Sequence, residues 1–166
     1  MVDAGSSGGG PLRLVCFDVR GQELALPIAE VRETLPIQPI TRVVLTPPCL
    51  AGVFSLRGEI VPAIDLAVLL GLARTEVRDD SRIVVLKNAG EPAGIVVDRL
   101  RDLRTLEGAL EPPPGNLAPE VAKLLLGVAA TPTGTVRVLD ARALINAEPL
   151  RAIAGEPGEE SRTKET

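Results

Sequence analysis

The chain repeats itself, and the repeat constrains the fold more than any other feature. Residues 14–21 (LVCFDVRG) keep step with residues 83–90 (IVVLKNAG), and Val31 then falls at the same offset as Leu100. Farther on, residues 52–65 (GVFSLRGEIVPAID) match residues 127–140 (GVAATPTGTVRVLD) in the spacing of their first Gly and last Asp. A short apolar, helix-like run follows each Asp. A period of roughly 70 residues is too long for a solenoid unit and suits two similar β subdomains. One difference stands out between the copies: Arg57 has no counterpart in the second.

Within each copy, short apolar runs and period-two alternation dominate, which predicts strands rather than long helices. LRLVCFDV, a turn at Arg20-Gly21 and ELALPI read as one hairpin; RIVVLKN, a turn at Ala89-Gly90 and PAGIVVD read as another. Strands this short, punctuated by Gly and Pro, suggest small closed barrels, because closure removes exposed strand edges. The segment PEVAKLLLG, residues 119–127, starts on Pro and ends on Gly, the asymmetry of a short helix. EPPPGN before it is a loop, since consecutive prolines donate nothing to a strand ladder. Apolar patterning lapses over residues 72–81, so the expected division is subdomain 1 at about 12–76 and subdomain 2 at about 82–140. A short helix over about 140–153 is expected to pack back. Residues 1–11, with GSSGGG, and the charged tail 154–166 bring too little apolar surface to offset the entropy of ordering and are expected to be disordered.

Composition then removes whole classes of function. The 166 residues carry a net charge of -4, with two Phe and neither Tyr nor Trp, so phosphate binding and base stacking are poorly supplied and nucleic acid is not an expected partner. No histidine is present, which removes the imidazole base, the imidazole metal ligand and the phospho-accepting histidine. Cys16 and Cys49 form no CxxC pair and read as small buried hydrophobes in a reducing cytoplasm. No apolar run reaches the ~18 residues of a membrane span, so direct membrane insertion is not expected.

The remaining candidates divide into caps and contacts. Asp65 and Asp140 each precede an apolar helical run, where a carboxylate accepts from the free amides of the first turn; that reading outweighs acid/base chemistry. Glu59, beside Arg57, reads as a turn-flanking ion pair. Arg57 itself sits in a tight turn before Gly58, from which its fork of donors would reach a carboxylate on another chain. Val31, Leu100 and Leu103 face a choice between core and exposed contact surface.

In order and spacing, LVCFDVRGQELALPIAEVRE, TRVVLTPPCLAGVFSLRGEIVPAIDL, RIVVLKNAGEPAGIVVDRLRDL and LLLGVAATPTGTVRVLDARALI resemble the CheW family of chemotaxis coupling proteins. The likeness covers residues 12–153, and its most specific part is GVFSLRGEIVPAIDL, close to the family's GVxNLRGxxxPxxDL. It departs at Ser55, where the family usually has Asn, at Leu24, where an aromatic is common, and at Cys49, where a larger side chain often sits.

The resemblance implies a mainly β fold of two SH3-like five-stranded β barrels with a few short helices. It implies a non-catalytic scaffold without cofactor or metal. The implied partners are the cytoplasmic tip of a chemoreceptor, the regulatory domain of a CheA-type histidine kinase, and other CheW-like domains in rings beneath the receptor array. By motif match, Arg57 takes the place of the family's groove arginine, and Val31, Gly52, Gly94, Leu100, Leu103 and Gly127 fall on positions tied to partner binding. Two rivals remain: the regulatory domain of a chemotaxis kinase or CheV-type protein, and a barrel enzyme or small-ligand binder built on Arg57, Glu59 and Asp65.

Overall fold

The structure, a computed structural model, describes residues 11–87, 91–132 and 134–147. Ten strands run in the order β1 (Leu12–Val19), β2 (Gln22–Pro27), β3 (Val31–Pro36), β4 (Leu50–Leu56), β5 (Glu59–Asp65), β6 (Arg82–Leu86), β7 (Ala93–Val97), β8 (Arg99–Leu106), β9 (Leu125–Thr131) and β10 (Gly134–Leu139). Among the described residues three short α-helices accompany them, α1 (Leu66–Leu69), α2 (Pro119–Ala122) and, after β10, α3 (Ala141–Ile145), with a 3-10 turn at Ile28–Glu30. Two turns expected from the sequence are formed: Arg20-Gly21 and Arg57-Gly58 both hold positive φ at their two central positions. That backbone matches the twist of a two-residue hairpin.

The strands form two five-stranded sheets, ordered β8-β1-β2-β10-β9 and β3-β6-β7-β5-β4. The repeats therefore exchange strands. Each sheet takes its central hairpin from one repeat and its other three strands from the other, so the two sheets have the same order once β1–β5 are equated with β6–β10. The expected division into 12–76 and 82–140 is corrected by this pairing: the first sheet holds residues 12–27 together with strands lying between 99 and 139. The reason is local. After the 3-10 turn, β3 leaves its own hairpin and pairs with β6, with the Lys87 amide donating to the Glu30 carbonyl at 2.9 Å.

Each sheet curls until its edges approach. Thr41, beyond β3, exchanges backbone hydrogen bonds of 2.8 and 2.9 Å with Val53 on β4, and Glu111, beyond β8, does the same with Val128 on β9 at 2.9 and 2.8 Å. We call the β8-β1-β2-β10-β9 unit the first barrel and the other the second.

Three cores result. Leu14, Cys16, Ala25, Ala129, Val136 and Val138 fill the first barrel, whereas Phe54, Leu56, Val61, Ala63, Ile83, Val85 and Val96 fill the second. Between the barrels lies the largest core, to which β1 gives Val15, Phe17 and Val19 while β6 gives Val84 and Leu86. Alternate residues of β1 and β6 thus face different cores. Burial on both faces is why these strands read as unbroken apolar runs.

The helix expected over residues 119–127 is cut short. Only Pro119–Ala122 is helical, and Leu125 already opens β9, paired with Leu139 of β10, and both are buried. Ladder pairing and burial of Leu125 outweigh the helical propensity of the leucine run. Residues 148–153 of the expected C-terminal helix, the Ala89-Gly90 turn and both terminal segments lie outside the described residues, Pro11 excepted.

Candidate functional site

Arg57 is found at the end of the β4–β5 hairpin, at φ +50, a left-handed conformation that side chains with a Cβ rarely adopt. From there its guanidinium reaches Glu33 on β3, with Nη1 donating to Oε2 at 2.7 Å and Nη2 to Oε1 at 2.8 Å. The fork-to-fork geometry is the strongest form of this ion pair. It also spans the two edge strands of the second barrel, since β3 and β4 stand at opposite ends of that sheet's order. Arg57 remains 64% exposed and Glu33 only 22%. The Arg57 hydrogen bonds hold the Glu33 carboxyl below its ordinary 4.5, and burial opposes this less strongly. Glu59, expected to flank Arg57 as an ion pair, is not its partner.

Val31 lies two residues before Glu33 on the same strand, and a bulge separates them. The extra residue switches faces: Val31 stands opposite Leu86 of the shared core, whereas Glu33 stands opposite Val85 of the second barrel's core. Leu100 and Leu103 occupy β8 of the first barrel, again across a bulge, opposite Phe17 and Val15, both shared-core residues. Val31 and Leu100 are partly buried against that core, while Leu103 is 63% exposed. The three apolar residues therefore border the junction between the barrels, one from the second barrel and two from the first.

The three glycines have a different setting, inside the barrels. A Cβ on Gly52 would stand 2.2 Å from the Thr41 carbonyl oxygen, and one on Gly127 2.5 Å from that of Glu111. These are the two closure points, where one chain segment crosses another too closely for any side chain. Gly94 is buried, and its Cβ would meet Ile83 at 2.7 Å and the Phe54 ring at 3.1 Å. Their geometry is explained by packing: Gly52 and Gly127 permit closure, and Gly94 makes room for an aromatic ring.

A second charged cluster joins the strands of the first barrel. Asp18 on β1 accepts from Arg99 Nε at 2.9 Å and Arg101 Nε at 2.6 Å on β8. Partial burial alone would raise the Asp18 carboxyl, but the two guanidinium hydrogen bonds outweigh it and hold it below its ordinary 3.8. Beside it, Asp98 accepts from the Arg20 amide at 2.7 Å and so anchors the other Arg-Gly turn.

Both helix-preceding aspartates act as caps. Asp65 accepts from the Val68 amide at 3.4 Å, and Asp140 from the Ala143 amide at 3.2 Å. Asp65 is also buried and takes the Thr75 amide at 3.1 Å and hydroxyl at 3.0 Å. Thr75 falls in the segment where sequence patterning lapses, so this tether had no periodic signal to announce it. Cys16 and Cys49 are free, buried thiols, and burial pushes Cys16 up to about 11. Both hold the neutral thiol form favoured by apolar surroundings.

Glu33 is the one member of the site that sequence reasoning missed. It sits in VRETLP with no motif around it, and its partner is 24 residues away across the barrel seam. Only the order of strands could have brought them together.

Comparison with known proteins gives consistent relatives. A family model described as CheW-like domain matches residues 13–148. The chemotaxis protein CheW of Bacillus subtilis (strain 168) is 28% identical over 137 residues, covering 82% of this chain and 88% of the relative. Protein FrzA of Myxococcus xanthus is 32% identical over 143 residues, covering 84% and 88%. Among solved structures, the scaffolding protein TtCheW from Thermoanaerobacter tengcongensis superposes with a TM-score of 0.75 at 26% identity, covering 86% of this chain and 93% of that one.

Proposed function

The chain belongs to the CheW-like domain family, and from that premise we propose that it is a non-catalytic adaptor coupling chemoreceptors to a CheA-type sensor histidine kinase. The observation that carries this reading is the family match over residues 13–148. The likeness to a scaffolding protein across 86% of the chain supports it. So does the chemistry: the two aspartates best placed for acid/base work are committed to capping amides, and the sequence contains no histidine.

The adaptor holds receptor and kinase in a fixed geometry, so that a receptor's conformational change biases the kinase's active state. The receptor tip meets the junction between barrels, where Val31, Leu100 and Leu103 supply apolar contact, and Arg57 supplies charge from the β4–β5 turn of the second barrel. Arg57 is held in place by Glu33 and keeps its exposed face for an acidic partner. Gly52, Gly94 and Gly127 contribute by shaping the barrels that present this surface. The kinase regulatory domain is the second partner, and other CheW-like domains join it in rings. The protein works in the cytoplasm at the inner face of the membrane, reached through receptor arrays; among the described residues no helix is long and apolar enough to cross a membrane.

The test is binding to a receptor cytoplasmic hairpin and, separately, to the kinase regulatory domain. Wild type should bind both, and Arg57→Glu should weaken only the receptor contact. The double variant Arg57→Glu with Glu33→Arg restores an ion pair of reversed orientation. If it remains defective, Arg57 contacts the receptor directly; if it recovers, the pair acts by holding β3 and β4. A folded wild type that binds neither of its cognate partners overturns the adaptor reading.

A further inference from the structure

We infer that the first barrel carries a binding pocket for a small, neutral, largely apolar molecule of one or two rings. A cavity of about 430 Å3 opens at the seam between β8 and β9, with Leu14, Cys16, Leu106, Ala129 and Val136 among its apolar lining and Arg104 and Glu107 as its charged groups. Its origin is visible in the repeat. At the matching place in the second barrel, the Phe54 ring fills the interior and lies against Gly94. In the first barrel the corresponding residues are Ala129 and Ala25, and Val138 stands for Ala63, so a ring is lost where three methyl-sized groups are gained.

The seam differs in the same sense. In the second barrel, Arg57 and Glu33 clasp β4 to β3. Their counterparts are Pro132, which has no side-chain donor, and Asp102, which turns to Arg104 at 3.3 Å. Leu35, packed against the second core, corresponds to Arg104. An unfilled interior and an unclasped seam thus coincide in one barrel.

The lining selects the ligand. The volume is at the lower end of ligand pockets, and a mostly apolar lining with few polar groups is their usual character. Arg104 is already paired with Glu23 at 3.1 Å and with Asp102, so one cation faces two carboxylates and an added anion is repelled. A cation would shed its hydration over a mostly apolar lining; Glu23 and Asp102 already answer Arg104, and Glu107, the other carboxylate at the cavity, is exposed to solvent. Cys16 contributes a neutral thiol. Neutral molecules of indole or benzyl alcohol size satisfy these conditions.

The experiment is titration of the full chain with indole, and with benzoate as a charged ring of similar size, followed through side-chain methyl resonances. Indole should saturably shift Leu14, Ala129 and Val136 but leave Val61 and Val85 of the second barrel in place, and benzoate should do neither. Ala129→Phe, which installs the ring the other barrel already has, should abolish the indole response. Should that variant fail to fold, Ala129→Leu is the smaller plug and must weaken the response. The inference is overturned if indole shifts no pocket residue, if both barrels respond alike, or if a folded plug variant binds as wild type does. It is equally overturned if the pocket resonances move only on addition of the kinase regulatory domain, which would make the cavity a seat for a partner side chain.

Discussion

Arg57 combines a strained backbone with an exposed charge. Its φ of +50 belongs to a hairpin turn whose first central position favours Asn, Asp or Gly, and such conformations persist where the surroundings impose them or function needs them. The surroundings here are slight: one ion pair, bidentate but with Arg57 64% exposed, whose contribution to stability is modest. Arg57→Gly should therefore leave the thermal midpoint unchanged or raise it, because Gly meets the turn without strain, while receptor-hairpin binding falls. Paired melting and binding measurements check this. A large drop in melting temperature would instead make the Glu33 clasp a structural necessity. The charge at this position was legible in the sequence as one copy's addition to a repeat. Its partner was not, since a carboxylate in a strand carries no mark of what it will face across a seam.

At the level of elements, the capping aspartates and the strand-to-strand ion pairs make separable predictions. Among the described residues Asp140 caps only α3, so Asp140→Asn should cost at most about 1 kcal/mol. Asp65 caps α1 and also holds the buried Thr75. Asp65→Asn leaves a buried tether with mismatched donors and should cost about 2–3 kcal/mol by urea denaturation. The Asp18 ties between β1 and β8 predict a pH dependence. Because folding lowers the Asp18 carboxyl, its contribution is present in full above the unfolded value and is lost as pH falls through the folded one. Stability should accordingly decline below about pH 4, and Arg101→Gln should flatten that decline. Caps and hairpins were legible because their signals are local: Asp before an apolar run, Arg-Gly between strands. The run PEVAKLLLG misled for the same reason, its local pattern being helical while Leu125 is claimed by a strand partner on β10.

For the whole molecule, the exchange of strands between repeats decides what can fold alone. Sequence periodicity reveals which segments are alike, here residues 14–21 with 83–90, Val31 with Leu100 and 52–65 with 127–140, but likeness does not say which copies pair. Neither the first repeat nor the second owns a complete barrel. Each has a hairpin whose flanking strands lie in the other half, and the shared core draws Phe17 and Leu24 from one repeat and Val84, Ile95 and Leu139 from the other. A chain cut in the 72–81 segment should yield two pieces that are each largely unfolded, because each exposes unpaired edges and half of three cores. Mixed at equal concentration, the pieces should recover the β-sheet circular dichroism of the intact protein and elute together. Independent folding of residues 11–78 would require its hairpin to pair with its own later strands, in place of the exchanged pairing seen in the intact chain, and would overturn this prediction. The same interlocking suits an adaptor: with both barrels built from both repeats, a force on Arg57 in one is borne by strands continuous with Leu100 and Leu103 in the other.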